Sequence, residues 1–196
     1  MLALTRGIPG VRIEGVDARL HMRPQLIADA VAAKVEKVRA REGRDVRIFV
    51  AYADCGTAGS LDAYLEREGI DRIEGAHCYE FYSGAAAYEA LQEEEVGTFY
   101  LTDYLVRNFD RLVIRGLGLD RHPELLPIYF GNYRRLVYLA QSDDPELANR
   151  AVAAAERLGL LSERRLVGLG ELATSIAAFA SPALRATGGP VAGVVA

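Results

Sequence analysis

Residues 48–81 read IFVAYADCGTAGSLDAYLEREGIDRIEGAHCYEF, and the punctuation of this stretch decides the fold. Ile48-Phe49-Val50-Ala51-Tyr52 is apolar at nearly every position, the pattern of a strand covered on both faces. It ends in Asp54-Cys55-Gly56-Thr57-Ala58-Gly59. Ser60 is placed to N-cap a helix over residues 61–68, and Gly69 to close it. Residues 70–74 then read as a short strand leading to Gly75-Ala76-His77-Cys78. Strand, helix and strand in this length make a βαβ unit, whose crossover is right-handed. Both cysteines of the chain, and one of its three histidines, lie just past the two strand ends. Open α/β sheets bind ligands there.

Working outward, the alternation in residues 11–16 suits a strand at a sheet edge. Pro24 opens a helix to about Arg41, with Ile27, Val31, Val35 and Val38 three or four apart. Residues 82–92 are alanine-rich and helical, 97–101 form a short strand, and Thr102 or Asp103 caps a helix to about Phe109. Residues 111–114 extend that helix or form a strand. After the loop 116–123, Pro123 stands at the first position of a short helix ending near Phe130. Residues 135–141 are a second buried strand. Asp144-Pro145 starts a helix to about Leu158 that Gly159 closes. A strand over 165–169 and a helix over 172–180 follow. Strand, helix and strand thus recur around Leu136, Glu146 and Leu166, an echo of architecture and not of sequence.

These elements predict one doubly wound α/β domain over residues 1–180, a Rossmann-like three-layer fold on a mainly parallel sheet of four to six strands. Two prolines, three glycines and small residues mark 181–196 as a flexible tail. The chain has 196 residues, 51% hydrophobic and 26% charged, with a net charge of −4, ordinary globular values. No basic block argues for a nucleic-acid surface. No apolar run approaches the roughly 20 residues that cross a membrane, and the start lacks a signal-peptide pattern. Two cysteines in such a chain suit a reducing cytoplasm, where they serve metal binding or catalysis more often than a staple.

Cys55, His77 and Cys78 carry the chemistry. Thiolate and neutral imidazole are the ordinary ligands of zinc, and ferrous iron accepts the same donors. Neighbouring side chains on a strand point to opposite faces, so His77 and Cys78 share one ion only if the backbone turns after Gly75. Otherwise one ligates and the other packs. Glu80 is a further carboxylate ligand or a partner for His77. The alternative is two buried thiols acting as small hydrophobes beside an ordinary histidine. The Gly56–Gly59 turn exposes backbone N–H groups to an anion, but matches neither phosphate fingerprint. In residues 115–124, His122 is a candidate acid–base group or fourth metal ligand, and Arg115 or Arg121 an anchor for a substrate carboxylate or phosphate. There Asp120 or His122 equally suits a cap for the helix at Pro123. Residues 129–135 read as core packing, and no serine sits in a nucleophile elbow.

Ala18–Pro24, Tyr52–Gly56, Gly75–Glu80, Thr98–Asp103 and Gly116–Asp120 resemble motifs of a prokaryotic domain-of-unknown-function family, number 1638, over residues 11 to 176. Members begin with an additional strand bearing a further cysteine, and this chain has no cysteine before Cys55. The resemblance implies an association with corrinoid and methyl-transfer systems, in which a metal-activated thiol is the acceptor.

Three functions are thus expected in competition. The first is a zinc- or iron-dependent enzyme acting on a small molecule. Its metal ligands are Cys55, His77 and Cys78; its catalytic groups are His122, Glu80 and Arg121; its substrate contacts are Gly56, Tyr79, Arg115 and Asp120. The second is a non-catalytic metal carrier, or a module that binds a corrinoid or methyltransferase protein. The third is a binder of phosphorylated ligands at the Gly56–Gly59 turn. A homo-oligomer is open in all three.

Overall fold

A computed structural model describes residues 11–17, 19–20, 23–180 and, as backbone, 191–195. Part of the first family motif, at Ala18, His21 and Met22, lies outside the described residues, as does the stretch 181–190 of the expected tail. The chain gathers into two compact units, one of residues up to Phe81 and from Glu171 on, the other Tyr82–Gly170.

The first unit holds a four-stranded sheet: β1 (Ile13–Glu14), β2 (Arg47–Val50), β3 (Asp71–Arg72) and β7 (Val191–Val195), in the order β1-β7-β2-β3. Phe49 stands opposite Asp71, and Ile13 opposite Val194. Val191–Val195 thus pairs inside a sheet, in a stretch whose composition predicts a tail. A helical turn at Pro24–Leu26 leads into α1 (Ile27–Glu42). Its Ile27, Val31, Val35 and Val38 are fully buried, as their spacing predicts. They form one core with Ile48, Val50, Tyr52, Leu61, Leu65 and Ile70, where each aliphatic side chain removed from water contributes about 1.5–3 kcal/mol. α2 (Ser60–Glu68) crosses from β2 to β3. Gly59, not Ser60, is its N-cap residue, and Gly69 closes it in the left-handed conformation. The unit also contains most of α3 (Cys78–Ser83) and most of α8 (Gly170–Phe179).

The second unit holds β4 (Thr98–Thr102), β5 (Arg135–Ala140) and β6 (Leu161–Leu166) in sequential order. Every residue of β5 is buried. α7 (Pro145–Leu158) is capped by the Asp144 carboxylate, which accepts from the amides of Glu146 at 2.9 Å and Leu147 at 3.3 Å. Gly159 ends it in the left-handed conformation. β6 begins at once afterwards, four residues earlier than predicted. Its sequence, LSERRL, hides the strand because it is an exposed edge with little to bury. The helix expected over 82–92 is two helices, α3 and α4 (Ala85–Glu94), broken at Gly84 with φ 85°. Thr102 caps α5 (Asp103–Arg107), and a wide helical turn, Asp110–Ile114, follows. A turn at Pro123–Leu125 precedes α6 (Leu126–Phe130). Phe130 packs edge-on against Phe99 at 5.2 Å, and the buried Arg135 guanidinium donates to Thr98 and to the carbonyl of Leu91. Packing thus accounts for both residues.

The fold is mixed α/β, and every strand pair among the described residues is parallel. The strands form two sheets of four and three, where the sequence predicts one. Both predicted βαβ units exist, one in each sheet.

Candidate functional site

Past β2 the chain makes a tight loop in which four of five consecutive residues have left-handed backbone. They are Cys55 (φ 49°), Gly56 (84°), Ala58 (52°) and Gly59 (81°). The two that are not glycine each cost about 1–2 kcal/mol there, and strain of this kind gathers at working sites. Asp54 holds the loop together. Its carboxylate accepts from the Thr57 hydroxyl and, at 3.5 Å, from the Gly59 amide. The Thr57 hydroxyl, then the Gly59 and Gly56 amides, hold the Asp54 carboxyl below its ordinary range. The donors of this glycine turn therefore point at the chain's own carboxylate, which counts against the turn as a phosphate cradle.

The second arm begins at Gly75, whose φ of 108° supplies the bend on which the site depends. Two backbone bonds tie it to the first loop: Asp54 N–H to the Gly75 carbonyl (3.2 Å) and Cys55 N–H to the Ala76 carbonyl (2.8 Å). Glu80 reaches back along its own helix to accept from the Ala76 amide at 2.8 Å. Cys78, which the sequence places just past a strand end, is the first residue of α3.

This bend brings Cys78 and Cys55 together and leaves His77 aside. Both thiols are free and half-buried, and their sulfurs are hydrogen-bonded to one another. The Cys78 thiol and, more weakly, its amide lower the pKa of Cys55 against the effect of burial. The Cys78 thiol is pushed well above its ordinary range by that hydrogen bond, by burial and by the negative charge on Cys55. The pair therefore gives up its first proton from Cys55 and holds the second on Cys78. His77 is exposed, its ring 6.4 Å from that of Tyr79. Among the described residues, no three His, Cys, Asp or Glu side chains gather closely enough to hold a metal ion. Two sulfurs of the expected metal centre therefore adjoin, without His77 or Glu80 beside them as a third donor.

The other candidates lie in the second unit. His122 is exposed, its Nδ1 3.1 Å from the Glu124 carboxylate. Arg115, Asp120 and Arg121 are exposed, with the Arg115 and Arg121 amides bonded to the carbonyls of Asp110 and Gly118. Two organising carboxylates escaped the sequence. One is Asp54, whose signal is an Asp three residues before a Thr in a glycine turn. The other is Asp103, buried at the ends of β4 and β5, which accepts from Tyr138 (2.7 Å), the Gln141 amide (2.9 Å) and Ser142 (2.7 Å). Asp103 reads in sequence only as a helix cap.

No helix among the described residues is long and apolar enough to cross a membrane. No curated protein and no solved structure matches the chain. A family model described as "Protein of unknown function (DUF1638)" matches residues 16–176. That span includes both cysteine arms and both βαβ units, and the chain belongs to this family.

Proposed function

We propose that Cys55 and Cys78 form a dithiol centre whose activity is thiol–disulfide exchange with a small-molecule disulfide. The observation that carries it is the pairing of the two sulfurs: the hydrogen bond lowers Cys55 and raises Cys78. Attack requires a thiolate, and Cys55 is the sulfur that ionises first. It forms a mixed disulfide with one sulfur of the substrate, and the other sulfur departs as a thiolate. That leaving group takes the proton from Cys78. The Cys78 thiolate then attacks the Cys55 sulfur, forming the Cys55–Cys78 disulfide and releasing the second substrate thiol. The substrate gains two electrons and the dithiol loses two. A second thiol compound, as reductant, restores the dithiol. The chemistry suits a reducing cytoplasm. A Rossmann-like, doubly wound three-layer arrangement is the finer fold that goes with it, supported by two parallel βαβ units with buried central strands.

The same two sulfurs support a second reading. Adjacent thiolates are the natural anchor for a soft ion, so a zinc or iron enzyme connected with methyl transfer, or a carrier bound to a corrinoid or methyltransferase protein, remains a competing proposal. It needs donors beyond two sulfurs, with His77 and Glu80 nearest in sequence.

Alkylation of Cys55 by iodoacetamide across pH, with the modified residue found by mass spectrometry, separates these readings. Cys55 reacts first and below the pH of an ordinary thiol, and Cys78→Ala moves its profile upward. Glutathione disulfide converts the wild type to an intramolecular disulfide that dithiothreitol reverses. A Cys55 profile unmoved by Cys78→Ala, or failure to form that disulfide, overturns the dithiol reading. Stoichiometric zinc or iron in untagged protein, lost with Cys55→Ser, moves the pair to the second.

A further inference from the structure

The bend that brings Cys78 to Cys55 has little support from the sheet it leaves. β3 is two residues long, and among the described residues it pairs only with β2. Past it, the Ile73 N–H makes one further bond, to the Val50 carbonyl at 3.0 Å. Gly75 follows at φ 108°. Glycine permits that conformation without imposing it, because it visits both signs of φ about as readily. The arm therefore needs a brace from outside its own backbone.

Arg72 supplies one. It stands opposite Val50, in register with the core that includes Leu61 and Leu65 of α2. Two of its guanidinium nitrogens hold the Asp62 carboxylate of α2, Nε at 2.5 Å and Nη2 at 3.2 Å. The remaining nitrogen, Nη1, donates to the Ile73 carbonyl at 2.6 Å and to the Gly75 carbonyl at 3.4 Å. That same Gly75 oxygen accepts the Asp54 N–H, one residue from Cys55. A guanidinium is planar and rigid, so fixing one side of the fork on a carboxylate fixes the direction of the other. One side chain thus ties a helix, a strand end and the bend together, and meets the Cys55 loop at a shared oxygen.

We propose that Arg72 is a positioning residue of the thiol pair: braced on Asp62, it fixes the Gly75 carbonyl and so holds the Cys78 arm against Cys55. The inference rests on the dithiol reading above. Its action is geometric more than electrostatic. Asp62 does most to raise the arginine's pKa, against burial, and Asp54 and Cys55 come after it. A charge already matched by a two-nitrogen ion pair leaves little net field for Cys55, whose strongest influence is the Cys78 thiol. Position matters most at ring closure, when the Cys78 sulfur displaces the substrate thiol from Cys55. An intramolecular step of this kind is favoured by how well its two partners are held in place. A loosened arm lowers the effective concentration of Cys78 at Cys55 and weakens their disulfide against an external one.

Equilibration of the full chain with mixtures of glutathione and glutathione disulfide tests this, with acid quenching and mass spectrometry to read the fraction closed. Arg72→Gln lowers the equilibrium constant for the Cys55–Cys78 disulfide by about two- to tenfold, the contribution of one hydrogen bond. Arg72→Lys keeps the charge, loses the fork and falls with Arg72→Gln. Asp62→Asn leaves the arginine without its charged brace and lowers the constant by a smaller factor. Arg39→Gln breaks an ion pair with Glu68 at the other end of α2. It leaves the constant unchanged, which separates positioning from a general loss of stability. An unmoved constant in folded Arg72→Gln, or in Asp62→Asn where Arg72→Gln does not fold, overturns the inference. So does a wild-type constant in Arg72→Lys, or an equal fall in Arg39→Gln. A wild type that forms no intramolecular disulfide overturns the dithiol reading itself, and the two failures are thereby told apart.

Discussion

Asp103→Ala is the substitution whose cost the second unit makes most explicit. The carboxylate is 7% exposed and accepts three hydrogen bonds. The donors fare differently when it is removed. Tyr138 is 1% exposed, so its hydroxyl has no water to turn to and costs about 1–3 kcal/mol as a buried orphan. The Gln141 amide and Ser142 hydroxyl are half-buried and recover solvent, so each loses about 0.5–1.5 kcal/mol. The expected loss is about 2–6 kcal/mol, centred near 4, in a unit whose whole stability is of the order of 5–15 kcal/mol. Burial, and secondarily the neighbouring carboxylate, push the Tyr138 phenol upward, so it stays a donor across the working pH range. Tyr138→Phe removes the group that would be orphaned, and by itself costs about 0.5–1.5 kcal/mol. The double variant is then less damaged than the sum of the singles by about 1–2 kcal/mol. Urea unfolding followed by far-ultraviolet circular dichroism gives the free energies, and hydrogen exchange places the loss in β4 and β5. An Asp103→Ala loss under about 0.5 kcal/mol, or strict additivity with Tyr138→Phe, refutes the reasoning, since both results mean that the three bonds do not form.

The first unit yields two further predictions. Gly75→Ala sets a side chain at φ 108° with its Cβ 3.1 Å from the Glu80 carboxylate. It costs about 1–3 kcal/mol and loosens the arm that carries Cys78, so Cys55 alkylation shifts to higher pH. An unchanged profile in a folded variant separates the bend from the thiol pairing. Asp54→Asn alters stability in a pH-dependent way: the carboxyl is held below its ordinary range, so the stability it adds is complete above the unfolded-state value near 4. It is lost as pH falls through the lower folded value. Chemical unfolding of wild type and variant from pH 7 to pH 2 shows the difference closing only at the acid end, and a constant difference refutes the role.

Much of the fold is legible because it depends on local rules. Ile27, Val31, Val35 and Val38 announce a buried helix face, Asp144-Pro145 a helix start, and Gly69 and Gly159 the left-handed stops. β5 is written as a run of apolar residues because it is covered on both faces. β6 is misplaced by the same logic, for a strand with almost no burial has no hydrophobic pattern to show. Val191–Val195 is lost among small residues because its partners are more than 140 positions away. The division of the strands into two sheets has no local signature, since a βαβ unit reads alike in either.

The candidate site divides in the same way. The sequence alone sets the residue types and the two strand ends, with Cys55 past one and His77-Cys78 past the other, and it marks Gly75 as the hinge between alternatives. Only the tertiary structure chooses between them. The bend at Gly75 turns Cys78 onto Cys55 and leaves His77 exposed beside Tyr79, while Asp54 closes the glycine turn that an anion would use. The physical reason is that a backbone conformation is a local property, written in glycine and proline, whereas the pairing of two sulfurs depends on two segments over twenty residues apart being clamped by the Asp54–Gly75 and Cys55–Ala76 hydrogen bonds.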